Sequence, residues 1–365
     1  MSSCVGFLVD RDKVLNSLRT VLDPDLKIDV VSLGMIKDLS IDGSKVSFTL
    51  ELTTPACPFN KEIEDNVRRA VQEVPGVGEV DMKVTARVWS ARPSAAGLDE
   101  LSRVKNVIAV ASGKGGVGKT TVSINLACSL ALAGAKVGLV DADIYGPMMP
   151  KIVKVVQPPK LLGKNKVDPA RIMLGIKVMS LGLFVDENTA VIWRGPLVAS
   201  AVKQLLTEAV WGDLDYLVVD LPPGTGDASL TLAQTIPLTG VVVVSTPQAA
   251  AAVIAAKALR MFRRLGIPVI GVVENMSHFV CPSCGTASKL FGESVTDVMA
   301  EELEIPVLGR IPLVPDVSVN YDKGIPIVLA DPSSPAAKAF KELAGNVASK
   351  ISVLAHRSGA KAEEV

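Results

Sequence analysis

The sequence predicts an α/β fold, a parallel sheet covered by helices, preceded by a small α+β domain. From residue 104 onward, short β-branched runs alternate with helical segments, as in a parallel sheet with helices on both faces. A glycine-rich loop follows the first of these runs, and two later runs lead into aspartates. We expect a domain at 1–91, a linker at 92–103 and the larger domain at 104–365.

The small domain is predicted from two helical patterns and three strand patterns in the order α-β-β-α-β. Apolar residues recur at helical spacing in the two helical patterns and alternate with polar residues in the three strand patterns. Asp42-Gly43 separates the first two strands and predicts a hairpin turn. The helices are predicted at 12–22 and 61–74, and the strands at 35–41, 46–52 and 80–88.

Composition argues against several classes of protein. The 365 residues include 38 Lys and Arg against 38 Asp and Glu, so no net field favours nucleic acid or an anionic membrane surface. Although 48% of residues are hydrophobic, Gly, Pro or charge interrupts every apolar run before it reaches a membrane-spanning length. The N-terminus lacks a signal-peptide pattern, and five cysteines with one close pair do not suit a secreted disulfide framework. We therefore expect a cytoplasmic protein without a nucleic-acid or membrane partner.

A phosphate-binding loop (P-loop) is predicted at 112–121, which reads Ser-Gly-Lys-Gly-Gly-Val-Gly-Lys-Thr-Thr. The glycines let backbone N–H groups converge on phosphate oxygens, and the following helix points its positive dipole end at the same place. In this pattern Lys119 reaches the outer phosphates of ATP, and the Thr120 hydroxyl binds Mg²⁺. The predicted nucleotide-binding residues of the loop are Gly113, Lys114, Gly115, Gly116, Val117, Gly118, Lys119, Thr120 and Thr121.

Carboxylates follow two of the predicted strands, at the edge of the sheet where α/β proteins bind ligands. Asp141 and Asp143 are two residues apart and point in different directions. One of them can therefore orient water around Mg²⁺ while the other faces the terminal phosphate. Asp220 ends the second strand and is predicted to hold the Mg²⁺ shell. The Gly224 amide, in the loop that follows, is expected to sense the γ-phosphate.

Several motifs resemble one family of ATPases. Lys114 makes the loop Lys-Gly-Gly-Val-Gly-Lys-Thr, which is similar to the deviant Walker A motif of nitrogenase iron protein, MinD and ParA. The octet Asp-Leu-Pro-Pro-Gly-Thr-Gly-Asp from Asp220, and Ile-Tyr-Gly-Pro after Asp143, resemble the Mrp/Nbp-type iron–sulfur carrier ATPases. The resemblance implies a homodimer with ATP at its interface, in which Lys114 reaches the partner's nucleotide and Asp143 orients or activates the attacking water. The expected catalytic residues are Lys114, Lys119 and Asp143.

Asn275 is a candidate for binding the adenine base. It lies at the end of a predicted strand, and its amide can both donate a hydrogen bond to adenine and accept one from it. The family resemblance suggests this role, with the backbone of 311–315 closing on the base. The alternative is an asparagine that caps a turn.

A metal-binding knuckle is predicted at Cys281-Pro282-Ser283-Cys284-Gly285, because this spacing turns two sulfurs toward one point. The sequence has no second such pair, so a four-thiolate site would need a second subunit. The resemblance implies a [4Fe–4S] cluster that bridges two subunits through Cys281 and Cys284. Zinc in the same geometry stays an alternative, and a redox pair is disfavoured because no helix pattern follows Cys284.

Cys57 is a further candidate, in the small domain. The segment 53–59 joins a predicted strand to a predicted helix, and the dipole of that helix is expected to favour the Cys57 thiolate. This segment, with Asp23-Pro24-Asp25 and 29–34, resembles the PaaD-type domain of iron–sulfur assembly factors. The resemblance implicates Cys57 in cluster transfer, whereas a lone cysteine is more often a small buried apolar side chain.

These observations lead to one functional hypothesis and its rivals. The hypothesis is an ATP-dependent carrier that binds an iron–sulfur cluster at a homodimer interface and transfers it to apo-proteins, with scaffold proteins as further partners. The main alternative is a MinD/ParA-type positioning ATPase without a cluster, which would need an amphipathic C-terminal helix or a basic DNA-binding face. A nitrogenase-type reductase, which would pass electrons, is a third hypothesis. That family uses separated single cysteines in each subunit, and this chain departs from that pattern.

Overall fold

The computed structural model of this chain describes residues 9–91, 99–144, 146–163, 165–185 and 195–359. The chain forms two compact units. The small unit comprises the N-terminal part as far as Trp89 together with the chain from Ala348, and the large unit is Ser90–Val347. Most of the segment 92–103, predicted as a linker, lies outside the described residues. The predicted domain limits, 1–91 and 104–365, stay a prediction.

The small unit has the predicted order α-β-β-α-β. Strands β1 and β2 pair antiparallel and β2 and β3 pair parallel, in a sheet with the order β1-β2-β3. Alternate residues of β2, including Phe48 and Leu50, are buried in one apolar cluster with Ile63 and Val67 of α2. The elements are α1 (Arg11–Leu18), β1 (Ile36–Asp42), β2 (Lys45–Leu52), α2 (Asn60–Gln72) and β3 (Glu79–Ala86).

The large unit alternates strands and helices through most of its length. Its strands are β4 (Val104–Ser112), β5 (Val137–Asp141), β6 (Lys160–Gly163), β7 (Lys166–Asp168), β8 (Ala170–Arg171), β9 (Lys177–Ser180), β10 (Leu214–Asp220), β11 (Gly240–Ser245), β12 (Val269–Val280), β13 (Ala287–Ser288) and β14 (Val307–Leu313). Its helices are α3 (Lys119–Leu132), α4 (Met149–Ile152), α5 (Gly195–Thr207), α6 (Asp227–Thr235), α7 (Ala249–Arg264), α8 (Thr296–Glu302), α9 (Pro315–Asp322), α10 (Ile327–Ala330) and the start of α11 (Pro335–Arg357).

The main sheet has the strand order β13-β12-β11-β4-β10-β5-β9-β8, with β14 also paired to β12. The pairs from β9 across to β12 and β14 are parallel, which confirms the predicted α/β class. Among the strands of this sheet that the structure describes, only the short edge strands β8 and β13 pair antiparallel with their neighbours. A short connection joins β8 to β9 and β12 to β13, and a short connection reverses the direction of the chain. Strands β6 and β7 form a separate hairpin.

Burial explains why the central strands are so apolar. Every residue of β5 and β11 is buried, as expected for parallel strands with both faces covered. Helix α3 is also deeply embedded, because ten of its fourteen residues are buried. It therefore holds the loop before it at a fixed place beside the ends of β4, β5 and β10. Within the described ranges, no helix has both the length and the apolar content that crossing a bilayer requires.

Gly240→Ala should lower the free energy of unfolding of the protein by about 1–3 kcal/mol, because the start of β11 has no room for a methyl group. The added Cβ would lie 2.7 Å from Ile270 Cγ1 and 2.9 Å from the Pro268 carbonyl oxygen. Urea denaturation followed by circular dichroism measures the change. Gly163→Ala in the exposed hairpin is the control, since nothing lies within 4 Å of its added Cβ. Equal midpoints for the two variants would contradict this packing.

Candidate functional site

The glycine-rich loop connects the end of β4 to the start of α3 and has the backbone shape its glycines allow. Gly116 and Gly118 have φ angles of 77° and 80°, in the left-handed region that favours glycine. A Cβ on Gly118 would lie 2.2 Å from Asn275 Nδ2, so no larger residue fits there. At Gly113 an added Cβ would lie 2.7 Å from the Ile254 backbone. The loop therefore needs glycine both for its left-handed backbone angles and for its close packing against Asn275 and Ile254.

The carboxylate of Asp220, at the end of β10, gathers three side chains of α3. It accepts hydrogen bonds from Thr120 Oγ1 at 2.7 Å and from Ser123 Oγ at 2.7 Å. Lys119 Nζ lies 2.8 Å from Asp220 Oδ1 as an ion pair, although its angle is not that of a hydrogen bond. Asp220 is fully buried and Lys119 is 6% exposed. The sequence motif did not predict the contact of Ser123 with Asp220, although Ser123 lies one helical turn after Lys119 and Thr120.

Asp141 and Asp143 lie at the end of β5, beside Asp220, in different environments. The Asp141 carboxylate is buried and accepts hydrogen bonds from Ser180 Oγ at 3.0 Å and the Asp143 amide at 3.1 Å. Burial and the neighbouring charge of Asp220 raise the pKa of Asp141 to about 7, and the hydrogen bond from Ser180 opposes this shift. Burial also raises the pKa of the half-buried Asp143. Sequence reasoning missed Ser180, which sits far along the chain.

A cleft of about 250 Å³ lies over the loop. Asp143 and Lys114 both line it, so the structure brings these two predicted catalytic residues to one cavity. Met148 and Ile152 give it an apolar wall. The lining consists of Ser112, Lys114, Gly115, Gly116, Gly118, Lys119, Thr120, Thr121, Asp143, Met148, Ile152 and Pro223.

The loop after Asp220 is tied to the glycine-rich loop by its backbone. The Gly224 amide donates a hydrogen bond of 2.8 Å to the Ser112 carbonyl oxygen. Ser112 Oγ in turn donates to the Lys114 carbonyl oxygen at 3.0 Å. The Gly224 amide, which we expected to sense the γ-phosphate, is thus engaged with the end of β4 in this structure. The two loops are in direct contact, so a shift in one reaches the other.

Asn275 holds the glycine-rich loop from strand β12, which is separated from β4 by β11 in the sheet. Its Nδ2 donates a hydrogen bond of 2.8 Å to the Val117 carbonyl oxygen, and its side chain is 5% exposed. The next residue, Met276, has a φ of 55°, and the pairing of β12 with β14 shifts register between Asn275 and Phe279. This irregular backbone aims the amide at the loop, a role that sequence reasoning missed. Its pairing with adenine stays a prediction.

The two cysteines of the knuckle lie just beyond β12, at the edge of the sheet. The turn closes through a hydrogen bond from the Gly285 amide to the Cys281 carbonyl oxygen (2.8 Å), and Gly285 has a φ of 72°. Cys281 is half-buried and Cys284 is exposed. Hydrogen bonds from Thr286 and Cys281 lower the pKa of the Cys284 thiol, whose sulfur lies 3.2 Å from Thr286 Oγ1.

One chain offers two thiols at this knuckle. Among the residues that the structure describes, no three His, Cys, Asp or Glu side chains are grouped so that they could hold a metal ion. A four-thiolate site that two subunits share stays a prediction.

The expected thiolate at Cys57 is wrong. Helix α2 begins only at Asn60, so Cys57 lies in the preceding loop, where its sulfur is 3.8 Å from Asp25 Oδ2. Burial raises the pKa of Cys57 to about 12, and the charges of Asp25 and Asp23 add to the shift. A hydrogen bond from the Phe59 amide lowers the pKa too little to compensate. The thiol is therefore protonated at neutral pH.

Comparisons with known proteins identify the family of this chain. The family described as NUBPL iron-transfer P-loop NTPase, of the ParA group, matches residues 103–348. This chain belongs to that family. A second family, described as iron–sulfur cluster assembly protein, matches residues 11–82 in the small unit. The family predicted from the loop and octet motifs is confirmed, and the chain is an NTPase of the P-loop class.

Several curated relatives are similar along nearly the whole chain. The iron–sulfur cluster carrier protein of Synechocystis sp. is 44% identical over 95% of this chain and 99% of its own length. The protein of that name from Deinococcus radiodurans is 44% identical over 94% of this chain and 96% of its own. The chloroplastic Fe-S cluster assembly factor HCF101 of Arabidopsis thaliana is 44% identical, with 94% of this chain and 65% of the relative covered.

Solved structures match about two thirds of the chain. The nucleotide-binding protein of Archaeoglobus fulgidus, solved in complex with ADP, is 39% identical with a TM-score of 0.54, covering 62% of this chain and 89% of its own. The cell division ATPase MinD of Pyrococcus furiosus is 24% identical with a TM-score of 0.50, covering 66% of this chain and 98% of its own. The second likeness shows the fold alone.

Asp141→Asn should stabilise the nucleotide-free protein more at high pH than at low pH. The folded-state pKa of Asp141, about 7, lies above that of an unfolded aspartate, ~3.9, so the parent loses stability as pH rises between these values. The asparagine variant lacks this loss. Urea denaturation of both proteins at about pH 5 and about pH 8 measures the difference.

The control for this prediction is Asp213→Asn. The ion pair with Arg103 lowers the pKa of Asp213, so the stability that this group gives is lost only as pH falls below the pKa of an unfolded aspartate, ~3.9. The effect of this substitution on stability should therefore be the same at about pH 5 and about pH 8. A stability gain in Asp141→Asn that is equal at both pH values would contradict the raised pKa.

Proposed function

We propose that this protein is an ATP-dependent carrier that holds an iron–sulfur cluster between two subunits and passes it to apo-proteins. One observation carries the proposal: strand β12 bears Asn275, whose amide holds the glycine-rich loop, and the same strand runs directly into Cys281. Cys281 follows Asn275 by six residues, which places the two residues at most roughly 20 Å apart along the chain. The relatives named as iron–sulfur cluster carrier proteins support this assignment.

The cluster is the cargo, and its ligands are the thiolates of Cys281 and Cys284. Four sulfurs suit a [4Fe–4S] cluster, so two chains related by a two-fold axis would complete the site. The exposed Cys284 has the lowered pKa that suits a metal ligand, since the thiolate is the form that binds metal. Zinc on the same thiolates is the chemical alternative, and the experiment below separates the two.

The nucleotide site fits ATP with Mg²⁺. The buried ammonium of Lys119 has no hydrogen-bond acceptor within the described chain, and phosphate oxygens would supply one. The backbone amides of the loop add further donors. Thr120 and Asp220, already hydrogen-bonded, would hold Mg²⁺, which neutralises charge on the phosphates when bound.

Hydrolysis is assigned to two residues of the same cleft. The Asp143 carboxylate, which lines the cleft and is half-buried, would orient the attacking water. Lys114 would extend across the dimer to the partner's nucleotide. Because ATP and cluster both require the dimer, each would change the affinity for the other by linkage.

Cys57 has a secondary place in this proposal. Its protonated thiol is a poor ligand until an incoming metal displaces the proton, so it suits a transient role in cluster transfer better than storage. We propose apo iron–sulfur proteins and scaffold proteins as partners, and the cytoplasm as the compartment, although two plant relatives are named as chloroplastic.

Anaerobic reconstitution with ferrous iron and sulfide should give a brown dimer with about four irons per two chains. The variant Cys281→Ala/Cys284→Ala should lose the colour and the iron. Absorption spectra, iron and zinc analysis and mass in solution measure this. Cys57→Ala is the matched control and should load the cluster normally. A colourless parent that binds zinc tightly would refute the carrier, as would unchanged loading of the double variant.

Asp143→Asn should lower the rate of ATP hydrolysis by about 10²–10³-fold, because water positioning is lost while the binding loop stays intact. Lys114→Ala should lower the rate similarly and should also weaken ATP-dependent dimerisation. Phosphate release and light scattering measure the two effects, and both variants should still load the cluster. Lys203→Ala on the exposed face of α5 is the control. Hydrolysis by Asp143→Asn at the parental rate would contradict the assignment.

A further inference from the structure

A second cleft of the large unit, distinct from the nucleotide site, lies between α6 and α7. Its volume is about 500 Å³. We propose that this basic groove docks an acidic, partly apolar segment of a partner protein, and that nucleotide binding changes its affinity. Its lining consists of Thr225, Leu230, Lys257, Arg260, Met261, Arg264 and Leu265.

The groove concentrates positive charge in a chain whose net charge is zero. Lys257, Arg260 and Arg264 lie three and four residues apart, on one face of α7, and all three are exposed. Helix α7 contains four basic residues and no acidic one. No carboxylate in the described part of the chain forms an ion pair with any of the three. Their charges are available to an anionic partner.

The rest of the lining favours a peptide over other anions. Leu230, Met261 and Leu265 are half-buried, so apolar side chains can pack between the cations. The three cations span roughly 10 Å along the helix, the length of three or four extended residues. None of the described residues that line the groove is aromatic, so the bases of single-stranded nucleic acid would find no side chain there on which to stack. The cations are exposed, whereas a free phosphate site gathers buried converging donors.

The groove shares a loop with the nucleotide cleft. Pro223 lines the nucleotide cleft, Thr225 lines the groove, and the amide of Gly224 between them bonds the Ser112 carbonyl oxygen at 2.8 Å. A nucleotide that shifts this contact therefore moves Thr225 and the start of α6. This coupling rests on the proposed ATP site, whereas the docking itself does not.

Fluorescence anisotropy tests the docking, with full-length protein and a labelled peptide that repeats Glu-Leu-Asp-Gly. The variant Lys257→Glu/Arg260→Glu/Arg264→Glu should bind at least about tenfold more weakly, because attraction becomes repulsion. Lys257→Arg/Arg260→Lys/Arg264→Lys keeps the charge and should bind within about threefold of the parent. The control Lys203→Glu/Lys323→Glu/Lys338→Glu makes the same change in net charge on other exposed surfaces and should leave affinity unchanged.

Competitors decide the class of ligand. Equal binding of the peptide to the parent and to the groove variant would overturn the proposal. So would a single-stranded DNA oligomer or pyrophosphate that binds through the same three cations more tightly than the peptide does.

A non-hydrolysable ATP analogue tests the coupling. It should change the affinity for the peptide by about threefold or more, and Lys119→Ala should abolish that change. Normal analogue binding with unchanged peptide affinity would overturn the coupling and leave the docking supported. An analogue that does not bind the parent protein at all would instead refute the proposed ATP site.

Discussion

The buried carboxylate of Asp220 is the interaction on which the nucleotide site depends. Removing this charge from water is costly, and three groups of one helix compensate: the Lys119 ammonium and the hydroxyls of Thr120 and Ser123. Because these donors lie at the first turns of α3, the carboxylate fixes the start of that helix against the end of β10. The loop before the helix is thereby set over the cleft. Loss of the Lys119 ammonium would leave the buried Asp220 charge without its ion-pair partner, at a cost in stability.

The second constraint is the contact between the loop and β12. Gly118 has no side chain, so the Asn275 amide approaches the loop backbone and bonds the Val117 carbonyl oxygen. The strand that makes this contact continues to the cysteine knuckle. As far as Asn275 this strand is mostly buried and pairs in parallel with β11 and β14, whereas from Met276 to Val280 it is mostly half-buried and its backbone is irregular. The chain thus connects the nucleotide loop to the thiols through six residues.

The cysteines that the structure describes differ in thiol pKa because their environments differ. Cys284 is exposed, and hydrogen bonds from Thr286 and Cys281 lower its pKa. Burial raises the pKa of Cys57 to about 12, and burial also raises that of Cys128, inside α3. The thiol best prepared to bind metal is thus one in the knuckle. The small unit presents Cys57 in the protonated form, so any role there requires the metal to compete with a proton.

The sequence by itself determined the fold class, the family and the identity of the reactive groups. Those signals are local: the glycine spacing, the lysine at 114, the aspartates after strands and the Cys-x-x-Cys pair each occupy a short stretch. The tertiary structure decided which groups meet and how they are charged. Ser123 contacts Asp220 across 97 residues, and Asn275 contacts Val117 across 158. The raised pKa values of Asp141 and Cys57 come from burial, which depends on what packs around a residue and is not written in its neighbours along the chain.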